Sequence, residues 1–493
     1  MARQYKNFKK LGSFTLSDGK EFQGLLHLNG SDTSLELYST SSLNKDIFTE
    51  NIFTDIHGLL TDGSKVSLLK CIVKSEVSVG HTSKYCTTTI FPQLAVFGSQ
   101  YIQSSSKTIY AIGFTVSDAS ILFHDPFTFG SVIEGQSHLE RILNEKDWGK
   151  EIEVGEQAHL FYFSGKHRIA EVETDTGKIL VTHKISYPSP STEGIRVKNT
   201  VMISIEFKAA KDIDAAVEIV LKVLRFLEII AGRPQHISDL ELLPISIADY
   251  SKTLGMYWCT PPRHSCESES KKPHFIDMLL QAAAHPEEFG KVLRQWLERD
   301  DKWKDARYRF SMLFSQQDSY SIDRIVGAAN MFDILPPCAV SASVTLPPET
   351  SEARENARKM FLSLPISPER DSILSSLGRM GKPSLKRKVR SRVKLITDSV
   401  GDQFPELEYV TDQAVDCRNY YVHGSVRKVD YGVHVSQVVF LTSTLEFVFA
   451  VSDLIESGWN INAWITKHST LSHPFSLYKF NYAKMLAELK KIT

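Results

Sequence analysis

Over roughly the first 195 residues, apolar positions come in short runs separated by clusters of turn-forming residues. FTLSDGKEFQGLLHLNGSDTSLELYS sets SDGK and NGSD between such runs, and HGLLTDGSKVSLLKCIVKSEV does the same with TDGSK. Gly and Asp supply the left-handed and tight-turn backbone that a chain reversal needs, so each cluster predicts a turn between two strands. TIYAIGFTVSDASILFH and HLFYFSGKHRIAEVETDTGKILVTHKISY continue the pattern. No fixed period is visible, so the strands predict a sandwich or distorted barrel rather than a repeat array.

The character changes after PSPST (188–192), a Pro/Ser-rich joint. VMISIEFKAA reads as one more strand. In DIDAAVEIVLKVLRFLEIIAG, Ile213, Val217, Val220, Leu224 and Leu227 recur at helical spacing, and Gly232 suits the C′ position. TPPRHSCESESKKPH (260–274) is a second joint, polar and rich in breakers. Beyond it about six helical segments follow, a number that suits a bundle. The fold class expected is α+β and multidomain. A β-rich domain spans 1–195, a strand/helix extension and linker 196–270, an all-α bundle 271–475 and a C-terminal helical tail 476–493.

Composition narrows the function classes. Apolar residues make up 42% and charged residues 23%, as in an ordinary soluble protein. The net charge is −1, so any attraction for nucleic acid must be local. The most apolar run, 435–455, is interrupted by Gln437, Glu446 and Asp453. It reads as a buried bundle helix rather than a membrane span, with Glu446 and Asp453 forming a wet stripe. MARQYKNFKKLGSF lacks the apolar core of a secretory signal, and six cysteines make no dense disulfide framework. Reduced thiols in a cytoplasmic protein are the simplest reading. No phosphate-binding Gly-rich loop, GxSxG elbow or HExxH motif occurs, which removes support for ATP-driven and zinc-protease activity. Cys259, His264, Cys266 and His274 are zinc-compatible donors, but their order and gaps match no common zinc module. No metal or other cofactor is assigned.

Charge is concentrated in RMGKPSLKRKVRSRVKLIT, where Arg379 to Lys394 include eight cations and the first acid is Asp398. Leu385, Val389, Val393 and Ile396 lie at helical spacing, which puts the charges on the outer faces of one helix. Lys386, Arg387, Arg390 and Lys394 are the candidate contacts to an RNA backbone; the same run also fits a plain solvated face.

Near the C-terminal end stands CRNYYVHGS, with Arg418 followed by Asn419 and, five residues on, by His423 and Gly424. A histidine before a glycine at a helix C-terminus is favoured by the helix dipole and needs no function. On an ideal helix, five residues turn the chain by about 500°, leaving Arg418 and His423 roughly 140° apart. That spacing favours a site completed by a second chain. The chemistry available is RNA cleavage by the substrate's own 2′-hydroxyl. A histidine takes or gives the proton, an arginine binds the phosphate oxygens, and Asn419 orients either. SYSIDRIVGAANMFDIL offers Asp323 and Asn330 near one helix face, where capping or exposed roles are the simpler expectation.

RNYYVH resembles the Arg–(four to six residues)–His motif of HEPN domains, with Asn419 in the polar place after the arginine. GSFTLSDGKEFQGLLHL, IHGLLTDGSKVSLLKC and FGSQYIQSSSKTIYAIGFTVSDASILFH resemble the N-terminal domain of ApeA-like abortive-infection proteins. SYSIDRIVGAANMFDILP resembles the opening of the HEPN domain in that family, and the resemblances run in the family's order. They imply an anti-phage effector: a β-rich sensor of a phage-derived trigger, coupled to a HEPN endoribonuclease that stops translation. Catalysis falls to Arg418, His423 and Asn419. The assembly implied is a homodimer or larger even-numbered oligomer acting on RNA, with tRNA the substrate the family suggests, and without a membrane. Some HEPN systems require a tyrosine two residues after the histidine as a modification target; Ser425 stands there, so that mechanism is not carried over. The competing reading is a non-catalytic HEPN dimerisation module carrying a β-rich ligand-binding or protein-interaction domain.

Overall fold

A computed structural model describes residues 8–40, 54–79, 85–187, 192–244, 253–262, 272–316, 319–340 and 346–493. The chain divides into two compact units, Met1–Leu297 and Glu298–Thr493.

The first unit starts with six antiparallel strands: β1 (Phe8–Thr15), β2 (Glu21–Leu28), β3 (Ser34–Ser39), β4 (Thr54–Leu60), β5 (Lys65–Val79) and β6 (Tyr85–Gly98). They pair in the order β1-β2-β3-β6-β5-β4 and β4 returns to β1, so the sheet closes into a barrel. The expected SDGK and TDGSK reversals sit at β1–β2 and β4–β5, with Gly19 and Gly63 both at φ +81°. Alternate residues point inward, and Phe14, Leu26, Leu35, Leu37, Ile56, Val66 and Ile90 form the barrel core. Gly58 faces Phe14 across β4 and β1, where a Cβ would lie 2.5 Å from the ring; only glycine leaves room for Phe14 at the barrel axis.

Strand β6 carries the sheet beyond the barrel. Its first half pairs with β3, its second half with β14 (Leu254–Trp258), and β5 runs along its other edge. From β14 an antiparallel sheet continues through β13 (Ile237–Leu243), β7 (Ile109–Val116), β12 (Lys198–Lys211), β11 (Gly177–Ser186) and β10 (Arg168–Glu173). Between β7 and β10 lie α1 (Ala119–Leu122), β8 (Phe129–Val132), α2 (Gln136–Asn144) and β9 (Leu160–Phe163), with β8 and β9 forming a separate two-stranded ribbon. The predicted amphipathic helix is α3 (Ile213–Ala231). The Asp212 side chain caps it by accepting from the Ala215 N–H, and Gly232 ends it at φ +73°. The unit finishes with α4 (Pro286–Glu298).

Most of the expected joint at 188–192 lies outside the described residues, and β11 and β12 on either side of it pair over ten positions. Strands β12, β13 and β14, which fall within the expected extension at 196–270, belong to the same sheet as β7 and β11, and α4 joins this unit through Phe289 and Trp296, which pack on Phe226.

The second unit is helical: α5 (Asp300–Phe314), α6 (Ile322–Asp333), α7 (Pro348–Leu362), α8 (Pro368–Arg379), α9 (Leu385–Val400), α10 (Leu407–His423), α11 (Val435–Glu456), α12 (Ile461–Thr466) and α13 (Pro474–Leu489). At its centre runs α11, packed against α5, α6, α9, α10 and α13. By length and hydropathy α11 could cross a membrane, yet 78% of its apolar window is buried, as expected of a core helix. The tail helix α13 packs onto it through buried Phe475, Tyr478 and Tyr482.

Glu446 and Asp453 do not form a wet stripe. Both are buried, because each has an arginine partner from another helix. Arg324 of α6 donates to both oxygens of Glu446 at 2.8 and 2.7 Å, and Arg307 of α5 does the same to Asp453 at 2.8 and 3.0 Å. Seven-residue spacing on an otherwise apolar helix is equally compatible with solvent and with buried partners; only the neighbouring helices distinguish them.

Burial raises the Asp453 carboxyl, but Arg307, Arg299 and Arg392 outweigh it and the net shift is downward. Removing one partner of a buried pair costs about 3–5 kcal/mol. Asp453→Asn should cost that much in urea unfolding at neutral pH, whereas Asp323→Asn, at an exposed position, should change stability by less than about 0.5 kcal/mol. A depressed carboxyl supplies its stability above the unfolded value of about 3.9 and loses it as pH falls through the lower folded value. The gap between wild type and Asp453→Asn should accordingly close in acid.

Candidate active site around Arg418 and His423

Helix α10 presents Leu407, Val410, Ala414, Val415 and Cys417 to the bundle. Its other side carries Asp412, Asp416, Asn419 and His423, spaced at four, seven and eleven residues and hence on one stripe. Gly424, at φ +62°, ends the helix directly after the histidine, with its N–H donating to the Tyr420 carbonyl at 3.0 Å. His423 is left exposed in the last turn.

Arg418 joins this end to α6. Its Nε and Nη2 both donate to Asn330 Oδ1, at 3.2 and 2.8 Å, and Nη2 lies 3.7 Å from Asp333. Its Nη1 donates to Asn419 Oδ1 at 3.0 Å and meets His423 Nε2 at 2.9 Å. The 140° separation expected on an ideal helix is real for the Cα atoms but does not keep the groups apart, because the guanidinium reaches round the helix end. One chain thus brings Arg418, Asn419 and His423 together. Asn330 belongs with them rather than in an exposed or capping role, while Asp323 stays exposed in the first turn of α6. Asp333 was not singled out in the sequence. Its signal was its spacing of three from Asn330, which puts both on one face.

A guanidinium only donates, so His423 Nε2 accepts and the ring holds its proton on Nδ1. In this arrangement His423 Nε2 is occupied, and Arg418 is held by the Asn330 and Asn419 amides with the Asp333 carboxylate beside it. A phosphate that draws Arg418 away would free Nε2 in the same motion. Cys417, one residue before, is no competing nucleophile, since burial pushes its thiol up to about 12.

The basic helix α9 differs from expectation at Arg392, which is 1% exposed and not on an outer face. It donates to Ser452 at 2.9 Å, pairs with Glu456 at 2.7 Å and stacks on Trp303. Of the four candidate RNA contacts, Lys386 pairs with Asp416 at 2.6 Å and Arg390 with Asp412 at 3.0 Å. Lys428 shares Asp416, and the two lysines outweigh burial to lower that carboxyl's pKa. Arg387 and Lys394 are exposed and line, with Arg390, a cleft of about 540 Å³ whose other wall carries Glu406 and Glu408. Lys388 reaches Asp333, so the carboxylate beside Arg418 also touches α9.

His264 and Cys266 lie outside the described residues. Cys259 is buried with its thiol pushed up to about 12, and the His274 side chain accepts from the Ile276 N–H. No group of three or more His, Cys, Asp or Glu arranged for a metal ion occurs among the described residues.

Residues 9–296 match the family model for ApeA N-terminal domain 1, more than half of the chain. The chain belongs to the ApeA family. Residues 327–462 match the Apea-like HEPN model, which takes in Asn330, Asp333 and the whole of CRNYYVHGS. The β-rich first unit and helical second unit of this ApeA-like protein agree with the two matches. No curated protein and no solved structure matches it. HEPN domains generally act on RNA as nucleases and typically dimerise, and ApeA-like proteins are defence effectors.

Long-range ¹⁵N–¹H spectra of histidine-labelled protein, recorded well above the usual imidazole value of about 6.5, test the Arg418 contact. His423, identified by its loss in His423→Gln, should show protonated Nδ1 and bare Nε2. Arg418→Ala should return it toward the Nε2-protonated form; an unchanged tautomer would remove the contact.

Proposed function

We propose that this ApeA-like protein is a metal-independent endoribonuclease that cleaves RNA, with tRNA as the substrate class, to stop translation in phage-infected cells. The observation that carries the reading is Arg418 lying within hydrogen-bond distance of His423 at an exposed helix end, held by Asn330 and Asn419.

The incoming phosphate draws the Arg418 guanidinium onto its non-bridging oxygens. His423 Nε2 then accepts the 2′-hydroxyl proton, and O2′ bonds to phosphorus. The P–O5′ bond breaks, and the leaving oxygen takes a proton from the equivalent histidine of a second copy. The products are a 2′,3′-cyclic phosphate and a 5′-hydroxyl. Asn330 and Asp333 are positioning residues that hold Arg418. Arg387 and Lys394 are the cations of α9 best placed for the RNA backbone, because Lys386 and Arg390 must first leave their carboxylates. The β-rich unit senses a phage-derived trigger, and the assembly is a homodimer or a larger even-numbered oligomer.

His423→Ala and Arg418→Ala should each lower RNA cleavage at least about 100-fold, the scale of general acid–base catalysis, with the oligomer retained by light scattering. Asn330→Ala should lower it less. Cleavage by His423→Ala at the wild-type rate excludes the assignment.

A 2′-hydroxyl nucleophile needs no ion, so chelator should leave the rate unchanged. A substrate with one 2′-deoxy position at the cut site should resist. Products with 5′-phosphate ends would point to a metal-activated water instead.

A further inference from the structure

Within the connection from β7 to β10, residues 131–163 form a lobe that buries almost nothing. Of residues 131–163, only Gly135, Leu143 and Gly149 are buried. The lobe nonetheless has defined internal structure. β8 and β9 pair from Phe129↔Phe163 to Val132↔Leu160, Gly135 donates to the Ala158 carbonyl at 2.8 Å, and Gly149 sits against the Leu143 backbone. The ribbon is held at its base by Phe163, which packs on Phe129 and His167.

Its large apolar side chains point outward. Phe161 is 81% exposed, Trp148 67% and Ile133 67%, and Phe127, just before the lobe, is 83% exposed. Exposed apolar groups scattered singly need no explanation, but three this large on so small a lobe, with Phe127 beside them, mark an interaction surface. Aromatic anchors within a polar rim are the usual make-up of protein-binding hot spots.

Charge selects what covers it. Residues 131–163 hold seven carboxylates against three cations, Arg141, Lys146 and Lys150, a net of −4 in a chain whose total is −1. Nucleic acid and an anionic membrane are repelled by that field. A second copy docking lobe to lobe would set −4 against −4. We propose that the lobe is a docking site for a protein partner whose contacting segment pairs apolar anchors with a lysine- or arginine-rich rim. This proposal does not depend on the ribonuclease reading, since it concerns binding by the first unit alone.

Hydrogen exchange of the full chain, with and without an amphipathic peptide of leucine, tryptophan and lysine, tests it. The peptide should protect 131–163. Trp148→Ser with Phe161→Ser should weaken its binding by about tenfold or more, the scale of hot-spot loss. Because both side chains are exposed, the thermal midpoint should not move. Glu145→Gln with Glu151→Gln and Glu153→Gln should weaken binding and flatten its salt dependence. The same peptide with glutamate for lysine, oligouridylate RNA and phosphatidylglycerol vesicles should leave the lobe unprotected. Absence of protection, protection only elsewhere, or wild-type affinity in the Trp148/Phe161 variant overturns the proposal. So does protection by RNA or vesicles, or self-association abolished by the same variant.

Discussion

Burying a charge costs several kcal/mol unless an opposite charge goes with it in good geometry, and the helical unit meets that constraint twice on one helix. Arg324–Glu446 and Arg307–Asp453 are bidentate pairs that fasten α6 and α5 to α11. Fully apolar surfaces would allow helices to slide; a fork of two parallel hydrogen bonds admits one register. The candidate site depends on that register. Asn330 lies six residues beyond Arg324 on α6, and its carbonyl oxygen receives two of the bonds that hold Arg418. A shift of α6 by one turn, about 5.4 Å, would leave the guanidinium without that support.

A second set of charges works at the surface. Asp412 and Asp416 of α10 bind Arg390 and Lys386 of α9, and Lys428 returns to Asp416 after the His423 turn. These pairs align the basic helix with the stripe of α10 that carries Asn419 and His423, and they neutralise part of its field. The run of cations from Arg379 to Lys394 is therefore partly structural. Arg392 shows this most fully, being enclosed beside Trp303 with Arg299 and Arg307.

The first unit solves a different problem, that of sheet edges. Closing β1 to β6 into a barrel removes its edges, and the split pairing of β6 lets the same sheet continue beyond it. That continuation is covered by α3, whose apolar stripe was already visible in the spacing of Ile213 to Leu227.

Whatever rests on neighbours within one turn or one reversal was legible in the sequence. The Asp-Gly turns, the Gly232 end of α3, the buried α11 and the Gly424 stop after His423 are all of that kind, because backbone conformation and periodicity are local properties. The Arg–Asn–His motif was legible as a pattern too. Long-range contacts were decided only by the tertiary structure. The ladder of β11 with β12 put the strands on either side of an apparent joint into one sheet, and Arg324 and Arg307 turned a supposed wet stripe into buried pairs. Asp412 and Asp416, more than twenty residues from Arg390 and Lys386, took up charges that a linear reading leaves free. Arg418 reached His423 and Asn330 because a long side chain at a helix end is not bound by the helical wheel. Spacing specifies where a side chain starts; only the packing of other helices specifies what it meets.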